Sequence, residues 1–367
     1  VGYANKILNL TYNQSILIKL LRVNKTHITE KHLDTVSQVL VKGEELKRIV
    51  DRNTYLSGAH FFLAEYHSKS DKKKSEESFI EGNKLISDMQ RESLYIRQKT
   101  SKEVFNFFRE FDSKEIENFI DPNKGKGLIF VLGMPRSGTT LTESVLASAD
   151  NIIAGGEKSF FSLQLHSIAK DLSSPDIVLD KDFFDDLGNR YLENISLHRN
   201  GNEFFIDKLP ENYLFYKFIK LALPAAKFIN CYRDPWDNAI SLFKQNYSIQ
   251  VFFASSFFGI ALEYANYERL INFWKELDGP TSFFDVRYEE LATKNNDLIK
   301  ELWDYCGIKG EFSEAKRKDY VGYTASFQQV SKDIYDTSIK KADFTDFKEK
   351  FYIDLENQRS FWNTLTN

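Results

Sequence analysis

The chain has 367 residues, 42% of them hydrophobic and 28% charged, and its formal net charge at pH 7 is -4. This length allows one large domain, or a large and a small domain, with a sizeable buried core. The balanced charge provides no overall basic field, which argues against nucleic acid as a partner, so any anion site must be local.

The first 120 residues are predicted to form an all-helical N-terminal region. They contain no proline, and apolar residues recur at helical spacing in the stretches 28–46, 61–66 and 79–86. The Lys- and Ser-rich segment from Ser68 to Ser75 is predicted to be a polar turn between two helices. The pair over 53–86 has the length of one tetratricopeptide repeat without a second clean copy, so it is interpreted as a degenerate helical pair. This region is a candidate surface for a protein partner.

A cluster of turn formers at 121–127 ends the helical pattern and predicts a domain boundary, with domains at 1–120 and 121–367. Short apolar runs typical of buried strands follow it, and a helical pattern follows each of them. This alternation predicts an α/β fold with a doubly wound parallel sheet flanked by helices. The predicted strands lie at 128–132, 204–206, 227–232 and 282–286.

The segment from Gly133 to Thr140, GMPRSGTT, lies between the first predicted strand and an apolar helix. Its two glycines permit a tight turn, so main-chain N–H groups and the helix N-terminus can bind a phosphate. The spacing equals that of a nucleotide P-loop, but Thr139 stands where nucleotide hydrolases have lysine, which argues against ATP or GTP hydrolysis. The alternative is a glycine-rich turn without a ligand. The residues predicted to bind phosphate are Pro135, Arg136, Ser137, Gly138, Thr139 and Thr140.

This loop resembles the 5′-phosphosulfate-binding loop of sulfotransferases that use 3′-phosphoadenosine-5′-phosphosulfate (PAPS). The resemblance spans roughly 127–346, and the likeness is greatest to sulfotransferases that carry tetratricopeptide-like helices before the catalytic domain. It implies a P-loop-type doubly wound α/β fold, PAPS as the donor and 3′,5′-ADP as the product.

The resemblance assigns the role of general base to Glu157, which follows the flexible pair Gly155 and Gly156. An acceptor hydroxyl must lose its proton as it attacks sulfur, and a positioned base contributes about 10²–10⁴ in rate. The alternative for Glu157 is a surface glutamate that caps the following helix.

Lys208 follows a predicted strand at the carboxyl edge of the sheet, where open α/β proteins bind ligands. It resembles the family lysine that contacts the sulfuryl and bridging oxygens, and the alternative is a solvated lysine at the strand end. Asp207 is expected to orient its neighbours.

Arg233 and Ser241 resemble the family motif that binds the 3′-phosphate of PAPS. A bidentate arginine contact suits a phosphate dianion, although Arg-Asp-Pro alone often only caps a helix. The segment 286–291 also resembles the family, and Arg287 is expected to pair with Glu289. At 338–345 the sequence departs from the family pattern, which leaves Lys340 as a phosphate contact, with Lys341 as the alternative to it.

Cysteine content and hydropathy indicate the compartment. Cys231 and Cys306 fit neither a disulfide framework nor a Cys-rich metal site and favour a reducing compartment. The apolar stretch 251–262 is too short to span a bilayer. We therefore expect a cytoplasmic protein without a membrane span.

The sequence thus predicts in-line transfer of a sulfuryl group from PAPS to a small-molecule or conjugate acceptor. Its catalytic residues would be Glu157, Lys208 and Arg136, and the two cations and the loop N–H groups make a metal unnecessary. One alternative is a P-loop phosphotransferase that uses ATP, and another is a non-catalytic interaction protein.

Overall fold

The computed structural model describes residues 33, 36, 40, 49–247, 251–318 and 343–366. These residues form two compact units. The first contains the described residues within 1–95, 239–263 and 342–356, and the second contains those within 96–238, 264–341 and 357–367. Of the described candidate site residues, all except Ser241 belong to the second unit.

Two packed helices, α1 (Ile49–His67) and α2 (Lys72–Ser87), form much of the first unit. The Ser75 hydroxyl of α2 donates to the Ala64 carbonyl of α1 over 2.7 Å. The polar turn predicted from Ser68 to Ser75 is shorter than expected, because α2 already begins at Lys72. Asp71 precedes this helix and accepts a hydrogen bond from the Lys74 N–H at 3.1 Å, which stabilises the helix start.

Further helices follow along the chain, and the described residues between 49 and 120 contain no strand. These helices are α3 (Arg91–Glu110), α4 (Lys114–Phe119), α5 (Thr139–Leu146), α6 (Phe160–Ala169), α7 (Lys181–Arg199), α8 (Tyr216–Ala222), α9 (Pro235–Phe243), α10 (Phe257–Asp278), α11 (Tyr288–Leu291), α12 (Asn296–Cys306), α13 (Glu314–Lys318) and α14 (Thr345–Thr366). Short 3₁₀ turns occupy Asp88–Gln90, Pro210–Tyr213, Phe252–Ser255 and Pro280–Ser282.

A five-stranded parallel sheet forms the centre of the second unit, in the order β2-β3-β1-β4-β5. In β1 all residues are buried, as its continuous apolar sequence predicts for a central strand. Because all pairs are parallel, the carboxyl ends of the strands lie at one edge of the sheet. The strands are β1 (Leu128–Gly133), β2 (Ile152–Ala154), β3 (Phe204–Asp207), β4 (Lys227–Tyr232) and β5 (Phe284–Arg287).

Helices cover both faces of this sheet. Ile129 of β1 belongs to an apolar cluster that includes residues of α5 and α12. The next residue, Phe130, points to the opposite face, where its ring lies 5.8 Å from Phe161 of α6 and 5.7 Å from Tyr191 of α7. The predicted doubly wound α/β fold is therefore confirmed.

The strands β1, β3 and β5 each end one residue later than predicted, and the prediction differs from the structure in two further places. The edge strand β2 was missed, because three half-buried residues show no period that distinguishes a strand from a loop. The last strand begins at Phe284 rather than at 282, because Pro280–Ser282 forms a 3₁₀ turn.

We expect Phe130→Ala to lower the free energy of unfolding by about 3–5 kcal/mol, because it removes a fully buried ring from the sheet centre. Urea unfolding measures this loss. The control is Leu197→Ala on α7, where the side chain is 90% exposed, and it should change stability by less than about 0.5 kcal/mol. Equal small effects of both variants would contradict the position of Phe130 in the core.

Candidate active site

The loop between β1 and α5 requires glycine at both ends. Gly133 has a φ of 143° and Gly138 a φ of 100°, in the region that side chains rarely adopt. A Cβ at Gly133 would collide with the carbonyl oxygen of Cys231, and one at Gly138 would lie 2.7 Å from the ring of Tyr288. Arg136 also has a positive φ, of 70°. The main chain of this loop is therefore held in a tight, strained turn.

The interior of the loop suits an anion. Ser137 is buried, and its Oγ has no hydrogen-bond partner among the described residues. Thr139 and Thr140 are also buried and begin α5, whose first N–H groups have no partner within the helix. A buried hydroxyl without a partner costs about 1–3 kcal/mol, and a bound phosphate oxygen would remove this cost. The residues therefore fit the phosphate of the predicted donor.

The pairing of β2 with β3 continues beyond β2 and brings Glu157 next to Lys208. The Gly155 N–H donates to the Ile206 carbonyl at 2.8 Å, and the Lys208 N–H donates to the Gly156 carbonyl at 3.0 Å. Across this extension Lys208 Nζ lies 2.5 Å from Glu157 Oε1. The lysine side chain is 1% exposed and the glutamate 47% exposed. The carboxylate is therefore the accessible member of the pair.

This geometry contradicts the capping role that was the alternative for Glu157 and the solvated position that was the alternative for Lys208. The N-cap position of α6 is Ser159, so Glu157 does not cap that helix. Lys208 is buried, so it is not a solvated lysine at a strand end. A buried ammonium requires an anionic partner, and Glu157 provides one.

Arg233 follows β4 and joins the same edge of the sheet. Its buried guanidinium donates from Nη1 to the Arg136 carbonyl at 3.4 Å and lies 4.4 Å from the centre of the Tyr288 ring. The Tyr264 hydroxyl donates to the Arg233 carbonyl at 2.6 Å. Burial lowers the pKa of Arg233 below its usual value, and the nearby Arg136 adds to this effect. The Arg233 guanidinium thus contacts the main chain of the loop at Arg136.

Other side chains that support this edge were missed by the sequence analysis. Asn238 Nδ2 donates to the Pro135 carbonyl at 3.0 Å, and the Tyr288 ring packs against Gly138. Tyr288 follows β5 directly, so its place at a strand end could have indicated that it lies near the site. The expected pairing of Arg287 with Glu289 is present, with Nε and Oε2 3.2 Å apart.

Two buried acids, Asp207 and Glu143, adjoin the segments that carry Lys208 and Glu157. Asp207 accepts a hydrogen bond from the Tyr191 hydroxyl at 2.8 Å. Burial, and then the charge of Glu143, raise the pKa of Asp207 to about 7, although Tyr191 and Lys158 oppose this shift. The sequence analysis missed Glu143. An ionisable residue in the first turns of an otherwise uncharged helix could have indicated it.

The described part of the second unit does not contain two of the predicted cofactor contacts. Ser241 is buried in α9 but belongs to the first unit. The geometry of the second unit therefore does not test its predicted contact with the 3′-phosphate. Lys340 and its alternative Lys341 lie outside the described residues.

Within the described ranges, no cluster of three or more His, Cys, Asp or Glu side chains could hold a metal ion. In the same part of the chain, no helix is both long and apolar enough to cross a bilayer.

A comparison with known protein families identifies the family to which the chain belongs. A family model described as "Sulfotransferase family" matches residues 129–314, which is just over half of the chain. The chain belongs to the sulfotransferase family. The match covers all five strands of the sheet apart from Leu128, the first residue of β1, and it covers the candidate residues from Pro135 to Ser241.

Two relatives with similar sequences match different lengths of the chain. An uncharacterized protein of Aquifex aeolicus is 27% identical over 354 residues, which are 90% of this chain and 44% of the relative. The omega-hydroxy-beta-dihydromenaquinone-9 sulfotransferase of Mycobacterium bovis is 28% identical over 130 residues, which are 34% of this chain and 33% of the relative. The chain thus spans less than half the length of these relatives.

Solved structures of sulfotransferases are also similar to the chain. The sulfotransferase domain of the Synechococcus PCC 7002 olefin synthase has 16% identity and a TM-score of 0.39, covering 64% of this chain and 94% of that domain. A sulfotransferase from Alicyclobacillus acidocaldarius has 17% identity and a TM-score of 0.39, covering 67% of this chain and 96% of that protein.

The raised pKa of Asp207 predicts a pH-dependent stability. An acid whose pKa rises from 3.8 to about 7 on folding stabilises the protein fully below the lower value, and this contribution is lost as the pH rises through 7. Asp207→Asn keeps an acceptor for Tyr191 but cannot ionise. We therefore expect the stability of Asp207→Asn relative to wild type to increase from about pH 4 to pH 8. Urea midpoints measured across this range test it, and parallel pH curves would contradict it.

Proposed function

We propose that the chain transfers a sulfuryl group from PAPS to a hydroxyl acceptor. The observation that carries this proposal is the pair of Glu157 and Lys208 at the carboxyl edge of the sheet. Family membership supports the reaction class, and the name of the M. bovis relative, a sulfotransferase of an omega-hydroxy compound, supports a hydroxyl acceptor. The acceptor would be a small molecule or a conjugate. Within the family, the proposed likeness is to the members with tetratricopeptide-like helices.

The donor would bind along the carboxyl edge of the sheet. In this proposal Ser137, the N–H groups at the start of α5 and the rest of the loop from 135 to 140 hold the 5′-phosphate. Arg233 and Ser241 hold the 3′-phosphate, with Lys340 as a further contact. When bound, PAPS supplies a sulfuryl group on its 5′-phosphate. The loop carries threonine at position 139 in place of the P-loop lysine, which argues against ATP or GTP hydrolysis.

The chemistry assigned to the chain is one proton transfer and charge stabilisation. Glu157 accepts the proton of the acceptor hydroxyl as its oxygen bonds to sulfur. Lys208 and Arg136 stabilise the phosphate oxygen that keeps the electron pair when its bond to sulfur breaks. An ammonium has three N–H donors, so Lys208 can orient Glu157 with one of them and face the leaving oxygen with another.

The proposal also includes a cytoplasmic location. Cys231 and Cys306 are buried free thiols, which suits a reducing compartment.

Calorimetry and a sulfation assay test the proposed function together. We expect 3′,5′-ADP to bind more tightly than ATP and labelled sulfate from PAPS to appear on a hydroxyl acceptor. Tighter binding of ATP would favour a phosphotransferase. Binding of 3′,5′-ADP without sulfation of any acceptor would favour a non-catalytic interaction protein.

We expect Glu157→Gln to lower turnover by at least about 10²-fold, because the amide cannot accept the proton. The affinity for 3′,5′-ADP should stay nearly unchanged. Steady-state kinetics and calorimetry measure the two effects. Glu193→Gln, at an exposed position of α7, is the matched control and should behave as wild type. Unchanged turnover of Glu157→Gln would remove it from the role of base.

We expect Arg233→Lys to weaken the binding of 3′,5′-ADP by about tenfold or more, because lysine keeps the charge but loses the bidentate contact. The affinity for 5′-AMP, which lacks the 3′-phosphate, should change little and serves as the internal control. An equal loss for both nucleotides would show that Arg233 acts on the loop rather than on the 3′-phosphate.

A further inference from the structure

Glu143 links the two segments on which the proposed reaction depends. It lies in α5, the helix that begins at the phosphate loop, and its side chain is fully buried. Its Oε1 accepts a hydrogen bond from the main-chain N–H of Gly156 at 3.0 Å. Gly156 directly precedes Glu157, so one side chain connects the phosphate-loop helix to the segment that carries the base.

The strand pairing does not fix the Gly156 N–H. In the extension of β2, the Gly155 N–H and the Gly156 carbonyl bond to β3, whereas the Gly156 N–H bonds to Glu143. Gly156 has a φ of 67°, and no atom lies within 4 Å of the place where its Cβ would stand. No side-chain packing therefore holds Gly156 on its Cβ side, so its position depends more strongly on the hydrogen bond to Glu143.

We propose that Glu143 is a positioning residue for Glu157 and acts through the Gly156 N–H to hold the base beside Lys208. This inference rests on the proposed function. A carboxylate that accepts an N–H forms a stronger hydrogen bond than a neutral acceptor does. Burial of a carboxyl is costly, so its presence in an otherwise uncharged helix is explained by a contact that apolar residues cannot make.

Glu143 also acts electrostatically on Asp207, which is adjacent to Lys208 in the chain. The groups that face Asp207 are Tyr191 from α7, Glu143 from α5 and Lys158 from the segment after Glu157. Glu143 contributes to the raised pKa of Asp207, after burial. Removal of its charge should therefore move the titration of Asp207 to lower pH.

The kinetic test compares Glu143→Gln with Glu143→Met, which have similar volumes but differ in their ability to accept the Gly156 N–H. We expect Glu143→Met to lower kcat by about 10²-fold with little change in the KM for PAPS, because the base is misplaced while the donor site is kept. Glu143→Gln should recover most of this loss. Ser144→Ala is the control, since the buried Ser144 hydroxyl donates to the Leu141 carbonyl of the same helix at 2.7 Å.

Amide hydrogen exchange supplies a readout that does not need an acceptor. Peptides that cover 154–158 should exchange faster in Glu143→Met than in wild type, and Glu143→Gln should stay close to wild type. An inactive wild type with this exchange pattern would overturn the proposed function but support the contact. Equal exchange in all variants, or equal kcat losses in Glu143→Gln and Glu143→Met, would overturn the positioning role.

The pH dependence of the free energy of unfolding should also change in the two Glu143 variants. The pH at which the Asp207 contribution is lost should fall in Glu143→Gln and in Glu143→Met alike, because both remove the charge. An unchanged pH in both would contradict the electrostatic coupling between the two acids.

Discussion

The parallel pairing of β2 with β3 is the constraint on which the candidate site depends. Two main-chain hydrogen bonds beyond the end of β2 set the register in which Glu157 meets Lys208. A shift by one residue would turn the side chains to the opposite face and separate the two charges. The pairing of β1 with β3 and β4 places the phosphate loop and Arg233 at the same edge. Main-chain geometry thus determines the positions of the charged groups.

Burial gives these charged groups their chemical character. The chain as a whole is slightly acidic, yet the edge of the sheet carries the buried cations Lys208 and Arg233. Low local polarity strengthens their attraction to an anion. The two acids near this edge, Glu143 and Asp207, are buried as well, and the raised pKa of Asp207 reduces the negative charge there below neutral pH.

Sequence patterns predicted the parts of this structure that depend on local signals. The apolar run of β1 and the glycines at 133 and 138 indicated the strand and the turn, and strand ends indicated where Lys208 and Arg233 would lie. The contact of Glu143 with Gly156 and the packing of Tyr288 on Gly138 were not predicted, because they join residues that only the folded chain brings together. Strand β2 was missed because an edge strand of three residues has no readable period.

The most direct test is a crystal structure of the protein with 3′,5′-ADP. We expect the 5′-phosphate to lie within hydrogen-bond distance of Ser137 and of the first N–H groups of α5, with Lys208 and Glu157 beside it. We also expect Arg233 to contact the 3′-phosphate. A nucleotide bound elsewhere, or a 5′-phosphate on the loop with Glu157 and Lys208 turned away from it, would contradict the proposed site.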